Sequence, residues 1–243
     1  MDRMIYLSMT GAKAAMQRQD VLSNNLANVS TNGFRAELQA FRSVPVRGDG
    51  ASTRAFALET SIGYKAEPGA ISATGRNLDV AMGGNAWLAV QATDGTEAYT
   101  RAGSLDVNSE GILTLRNGLQ VQGDGGAINV PQNAQLSIGS DGTITAKTSD
   151  AVRPQVLGRL KLVTPEAPLQ RGTDGLFRAA DGNDLPTDQT ARVQDGALEG
   201  SNVSPVETMV AMISAARQFE QQMKLLQIAQ TQGQESSKLL GSS

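Results

Sequence analysis

From Met4 to Asn28 the apolar side chains recur at helical spacing. Ile5, Met9, Ala12 and Met16 follow at steps of four, three and four, and Met4, Ala15, Leu22, Leu26 and Val29 form a second line. The two lines lie roughly 100° apart around a helix of 3.6 residues per turn. The pattern predicts one long helix whose apolar arc is wider than a single partner helix covers, ended by the Asn32-Gly33 turn signal.

The centre of the chain has a period of two. Leu105/Val107, Leu113/Leu115, Leu119/Val121, Ile128/Val130, Leu136/Ile138 and Leu160/Leu162 alternate with polar residues, as half-buried strands do. Asp-Gly pairs at Gly50, Gly95, Gly125, Gly142, Gly175, Gly182 and Gly196 punctuate them. Asp-Gly supplies the positive φ of tight hairpin turns, so residues 60–200 read as an all-β domain and 34–59 as an extended linker or hairpin.

At the carboxyl end Ser204-Pro205-Val206-Glu207 combines a capping box, Ser204 with Glu207, with proline at the first helical position. Met209, Met212, Ala216, Phe219, Met223, Leu226 and Gln230 then alternate at three and four, the spacing of a coiled-coil seam. Val210, Leu225 and Ile228 lie off that seam. The expected fold is α+β: a discontinuous helical domain, 1–33 with 201–243, whose terminal helices pair as a coiled coil, and an inserted all-β domain. All methionines except Met82 belong to the terminal segments, where adaptable side chains suit irregular contacts. Two arrangements stay open: a closed helical hairpin on the β middle, or helices that also pair with neighbouring copies through the apolar surface left over.

Composition narrows the chemistry. The 243 residues include no cysteine and no histidine, which excludes disulfides, thiol nucleophiles, Cys/His zinc sites and histidine acid-base catalysis. A net charge of -3 offers no field for nucleic acid. No apolar run approaches the ~20 residues of a spanning helix, and no secretory signal pattern opens the chain. Neither nucleic acid nor membrane insertion is expected, and no cofactor or metal.

The remaining candidates read as structure. Gly123-Asp124-Gly125-Gly126 lacks the spacing of a nucleotide loop. The acidic Asp181–Asp188 run lacks the calcium-loop pattern and reads as a solvated turn. Asn28-Val29-Ser30 and Asn202-Val203-Ser204 match a glycosylation acceptor, yet suit caps and turns beside the helices. Trp87 is a sugar-stacking platform or, within its apolar run, a core residue. Arg35, Arg42, Arg47 and Arg54 form a strip read as solvated linker, with contact to acidic neighbours or cell-wall polymer as the rival.

The run Asn24-Asn25-Leu26-Ala27-Asn28-Val29-Ser30-Thr31-Asn32-Gly33-Phe34 closely resembles the amino-terminal signature of the bacterial flagellar axial proteins, the rod and hook family. Leu198-Glu199-Gly200-Ser201-Asn202-Val203 followed by Val206-Glu207-Thr208-Met209-Val210 resembles the opening of that family's carboxyl helix. Thr74-Gly75-Arg76-Asn77-Leu78-Asp79-Val80 and Ala98-Tyr99-Thr100-Arg101-Ala102-Gly103-Ser104 look like its central β motifs, with Arg76 a departure. Met1 to Tyr6 and Phe34 to Val46 look most like a proximal rod member.

The resemblance covers nearly the whole chain. It implies a non-enzymatic subunit of the basal-body rod, exported through the flagellar type III apparatus without a cleaved signal. Its terminal helices would form the inner tube of the shaft across the periplasm. The implied partners are copies of itself and other proximal and distal rod proteins. The assembly interface is assigned to Ile5, Met9, Met16, Leu22 and Leu26 with Met209, Met212, Phe219, Met223 and Leu226. Asn25, Leu26, Ala27, Asn28, Thr31, Gly33 and Phe34 carry the family motif. The rivals are another axial subunit, of distal-rod or hook type, and a carbohydrate-binding β protein whose helices merely pack.

Overall fold

A computed structural model describes residues 2–45, 55–148 and 153–241, with side chains described at 5–40, 63–148 and 153–235. The chain divides into two compact units. One comprises Met1–Val29, Ala36–Lys65 and Val203–Ser243; the other comprises Ser30–Arg35 and Ala66–Asn202.

In the first unit, helix α1 (Asp2–Ala27) packs along helix α2 (Pro205–Gly241). Helix α2 begins at the proline, as the pattern predicts. The Thr208 N–H, at 3.0 Å, and its hydroxyl, at 2.8 Å, both donate to the Ser204 carbonyl, which places Ser204 at the N-cap. Among the described residues the reciprocal side-chain bonds expected of Ser204 and Glu207 are not formed, and both residues are exposed. Strands β1 (Glu37–Pro45) and β2 (Ala55–Tyr64) pair antiparallel from Glu37↔Tyr64 to Pro45↔Ala55, with a bulge at Ala40/Phe41. This hairpin contacts α1. It extends past the expected boundary at residue 60 and groups with the helices, while residues 30–35 group with the β unit. Arg47, Arg54 and the Asp49-Gly50 turn lie outside the described residues, as does the Arg42 side chain.

The second unit is all β. Among its described residues a nine-stranded antiparallel sheet runs from Gln170–Arg171 through Phe177–Arg178, Glu97–Thr100, Trp87–Gln91, Gln120–Gly123 and Leu113–Leu115 to Leu105–Val107. Gly126–Ala127 pairs with Gln120–Gly123, and Leu162–Val163 with Trp87–Gln91. Gln135–Ile138, Thr143–Lys147 and Gln155–Arg159 form a three-stranded sheet. Two short pairs, Val193–Asp195 with Val80–Met82 and Ala197–Glu199 with Ile71–Ala73, bring the end of the unit back to its beginning.

The period-two residues supply much of the core: Leu105, Leu113, Val121, Leu136, Ile138, Leu160 and Leu162 are all buried. The Ile128/Val130 pair is buried without becoming a full strand. Its carbonyls and amides meet Ile112, Leu113 and Gly111 locally, and Pro131, which has no N–H, stops further pairing. Trp87 is core, 2% exposed, with its ring 4.7 Å from that of Phe177.

Candidate functional site

The α1–α2 contact is built from small side chains. Among the described residues Ser8, Ala12, Ala15 and, near its end, Asn25 are the buried positions of α1, and Thr208, Ala215 and Ala229 those of α2. Small residues let two helix backbones approach closely. They also bury little apolar area, and burying each large side chain is worth ~1.5 to 3 kcal/mol.

This seam differs from the expected one. Met9 and Met16 are each 53% exposed, Met209 51% and Met223 39%, whereas Ile5, Leu22, Leu26, Met212, Phe219 and Leu226 are half-buried. The three-four pattern is present, but the helices turn their small residues towards each other and leave much of the methionine line outside. Tyr6, Val206, Val210, Ile213 and Ile228 are exposed too. Apolar side chains thus remain exposed on both helices after they have paired.

The family-like motif after α1 divides its labour. Asn25 is buried, and its side-chain amide pairs with the Glu37 backbone in both directions: Nδ2 donates to the carbonyl at 3.0 Å and Oδ1 accepts the N–H at 2.8 Å. One side chain thereby fixes the end of α1 to the start of β1. Asn28 Nδ2 donates to the Asn24 carbonyl at 2.9 Å, a second bond to an oxygen that also accepts the Asn28 N–H at 3.2 Å. Leu26 is half-buried and Ala27 and Thr31 exposed.

Within the β unit, the Phe34 N–H closes a turn on the Thr31 carbonyl at 3.2 Å, and Gly33 sits in it at φ 71°. Any Cβ at Gly33 would overlap the Arg101–Ala102 backbone, so both φ and space demand glycine. The Gly33 N–H donates to the Glu199 carbonyl at 2.8 Å. Phe34 is buried beneath Arg171, whose guanidinium lies 4.6 Å from the ring centre.

A charged cluster follows that the sequence reading misses. Arg35, read as solvated linker, is 3% exposed and pairs with Glu199 Oε1 at 2.8 Å. Its Nη1 donates to the Ala66 and Glu67 carbonyls. Arg101 takes the other carboxylate oxygen, with Nε 2.8 Å from Glu199 Oε2, and donates further to the carbonyls of Met82, Gly84 and Ala86. The Gly69 N–H donates to Glu199 Oε1 at 3.1 Å. A buried carboxylate needs such compensation.

Asp79 forms a second cluster. It accepts from Thr74 Oγ1 at 2.7 Å, Ser104 Oγ at 3.2 Å and Arg76 Nη1 at 3.1 Å, and Arg76 also donates to the Leu105 carbonyl at 2.7 Å. Arg76, the departure from the family pattern, therefore has a local partner. Gly103 lies where a side chain would overlap the Val80 carbonyl. The Glu199 cluster joins a central motif to segments at both ends of the unit, and the Asp79 cluster joins the two central motifs to each other.

The acidic Asp181–Asp188 run forms turns. Asp181 accepts from the Asn183 N–H and side chain, and Asp188 from Thr164 and Thr190. The Thr164 and Thr190 hydroxyls hold the Asp188 carboxyl down at about 2. Burial raises the Tyr99 phenol, which donates to Glu97 and accepts from the Leu185 N–H. Among the described residues no group of three acidic side chains has the arrangement of a metal site, and no helix is long and apolar enough to cross a membrane.

Three family descriptions match successive parts of the chain. Residues 5–35 match "Flagella basal body rod protein", 81–146 match "Flagellar hook protein FlgE/F/G D1 domain" and 194–239 match "Flagellar basal body rod FlgEFG protein C-terminal". The flagellar basal-body rod protein FlgF of Salmonella typhimurium is 45% identical over 93% of both chains. FlgF of Escherichia coli K12 is 43% identical over 100% of both. The FlgG rod protein of Buchnera aphidicola from Acyrthosiphon pisum is 29% identical over 97% of this chain and 98% of its own.

Proposed function

The chain belongs to the flagellar basal-body rod protein family, and from that premise we propose how its two units serve in the rod. It is a FlgF-like structural subunit of the basal body. The higher identity to FlgF than to FlgG favours the proximal rod over the distal rod or hook.

In this reading the role is mechanical. The α1–α2 pair is the axial element, and Met9, Met16, Met209 and Met223 bind the helices of neighbouring subunits, with Ile5, Leu22, Leu26, Met212, Phe219 and Leu226 supporting the same face. The carrying observation is the exposure of the methionine line after the helices have paired through small residues. A closed hairpin would have buried that line. Neighbours are copies of this chain and other rod subunits, across the periplasmic span. The subunit reaches them through the flagellar export apparatus, a step supported by the family resemblance.

A carbohydrate-binding role is less well supported, because the one tryptophan is core. The test is complementation of a motile bacterium deleted for its own FlgF. The native chain should restore swimming, and Met16→Asp with Met209→Asp should be exported yet leave cells non-motile. Full motility with both aspartates present would overturn the assignment of this face.

A further inference from the structure

We infer that Gln222 seated over Gly11 sets the register of the α1–α2 pair. Along α2 the positions facing α1 recur every seven residues: Thr208, Ala215, Gln222 and Ala229. Thr208, Ala215 and Ala229 are small and buried. Gln222 is the large member, and it meets Gly11, the one glycine in the sequence of α1.

Glycine in a helix interior is unfavourable against alanine, so its presence there calls for a cause. A Cβ at residue 11 would lie 2.8 Å from Gln222 Cδ, 3.0 Å from Oε1 and 3.2 Å from Nε2. The absent methyl is the space that the glutamine end group fills. Ala14, Ala15, Arg18, Gln218 and Gln221 surround the same groove.

Register needs such a device in this chain. A short loop between two helices fixes how they align, but here residues 28–204 intervene between the end of α1 and the start of α2. The small residues at the other heptad steps are near-interchangeable and fit one another equally well after a slip of seven. Gln222 does not. One heptad of slip sets it against Met4 or Arg18, both bulky, and leaves the Gly11 hollow facing alanine. One seam position unlike its heptad neighbours can likewise specify register in a coiled coil, there by polarity and here by size.

The chain has no cysteine, so introduced pairs read register directly in the full-length protein. Ala14→Cys with Gln218→Cys reports the alignment seen here, since both residues line one groove. Ala14→Cys with Leu225→Cys or Ala211→Cys reports a slip of one heptad either way, a displacement of about 10 Å. A short thiol-to-thiol linker, scored on chains of monomer mass after denaturation, should join 14 to 218 at least ten-fold more than 14 to 225 or 211.

Adding Gln222→Ala should bring a slipped pair to within about three-fold of the aligned one. Alanine is the better helix former, so helix content should hold. Gln222→Met, of similar length, should keep the single pattern. A Gln222→Ala chain that retains the ten-fold preference would overturn the inference, as would a Gln222→Met chain that spreads as the alanine variant does.

Discussion

Arg35 and Glu199, from opposite ends of the β unit's sequence, meet in a 2.8 Å ion pair that is almost wholly buried. Arg101 holds the other oxygen of the same carboxylate. Arg35 lies just after the amino-terminal motif, Arg101 within a central motif and Glu199 just before α2. The cluster therefore gathers the segments by which the chain enters and leaves the β unit.

Removing the shared carboxylate should strand two buried guanidinium groups. Glu199→Ala is expected to destabilise the β unit by about 3 to 5 kcal/mol, and Arg35→Ala by a similar amount. Trp87, the only tryptophan, lies in the core of the same unit, so denaturant unfolding followed by its fluorescence measures the loss. A change within ~0.5 kcal/mol would show that the cluster is not what holds these segments.

Methionine chemistry separates the two units. Met9, Met16, Met209 and Met223 are exposed and Met82 is 1% exposed. Mild peroxide on the unassembled chain should convert the first four to sulfoxide at least ten-fold faster than Met82, read by mass spectrometry of peptides. The polar sulfoxides should then weaken association. Equal rates at Met82 and Met16 would contradict the burial described.

Acid should weaken the β unit in a defined window. The Asp188 carboxyl is held at about 2 by the hydroxyls of Thr164 and Thr190, against ~3.9 in an unfolded chain. A depressed folded-state value means that the unfolded state binds more protons as pH falls. The stabilisation is thus complete above pH ~4 and lost as pH drops towards 2. Asp188→Asn should flatten the fall of the thermal midpoint over that range; an unchanged slope would exclude Asp188 as a contributor.

Much of this architecture is legible in the sequence because it is local. Helical spacing from Met4 and from Pro205 marks α1 and α2, and Asp-Gly turns between alternating residues mark the strands. The rotation of the helix seam is less legible. Methionine and phenylalanine outweigh alanine in any apolar pattern, yet alanine and threonine allow the closer approach and take the contact. Arg35 is misread for a different reason: an arginine among polar residues gives no local sign of burial. Its partner lies at Glu199, and the Arg101 that completes the cluster is 98 residues from that carboxylate. The motif runs contain all three residues or adjoin them, and that proximity was the available signal. Asn25 likewise stands out as a motif member, while its bidentate hold on Glu37 needs the hairpin in place.

The exposed methionine line is the centre of the account, and light scattering with circular dichroism on the full chain tests it most directly. The native chain should associate as concentration rises and gain helix as it does. Met16→Asp with Met209→Asp should stay monomeric over the same range, with Trp87 fluorescence unchanged to show an intact β unit. If the aspartate variant associates as readily as the native chain, the methionine face is not the assembly surface.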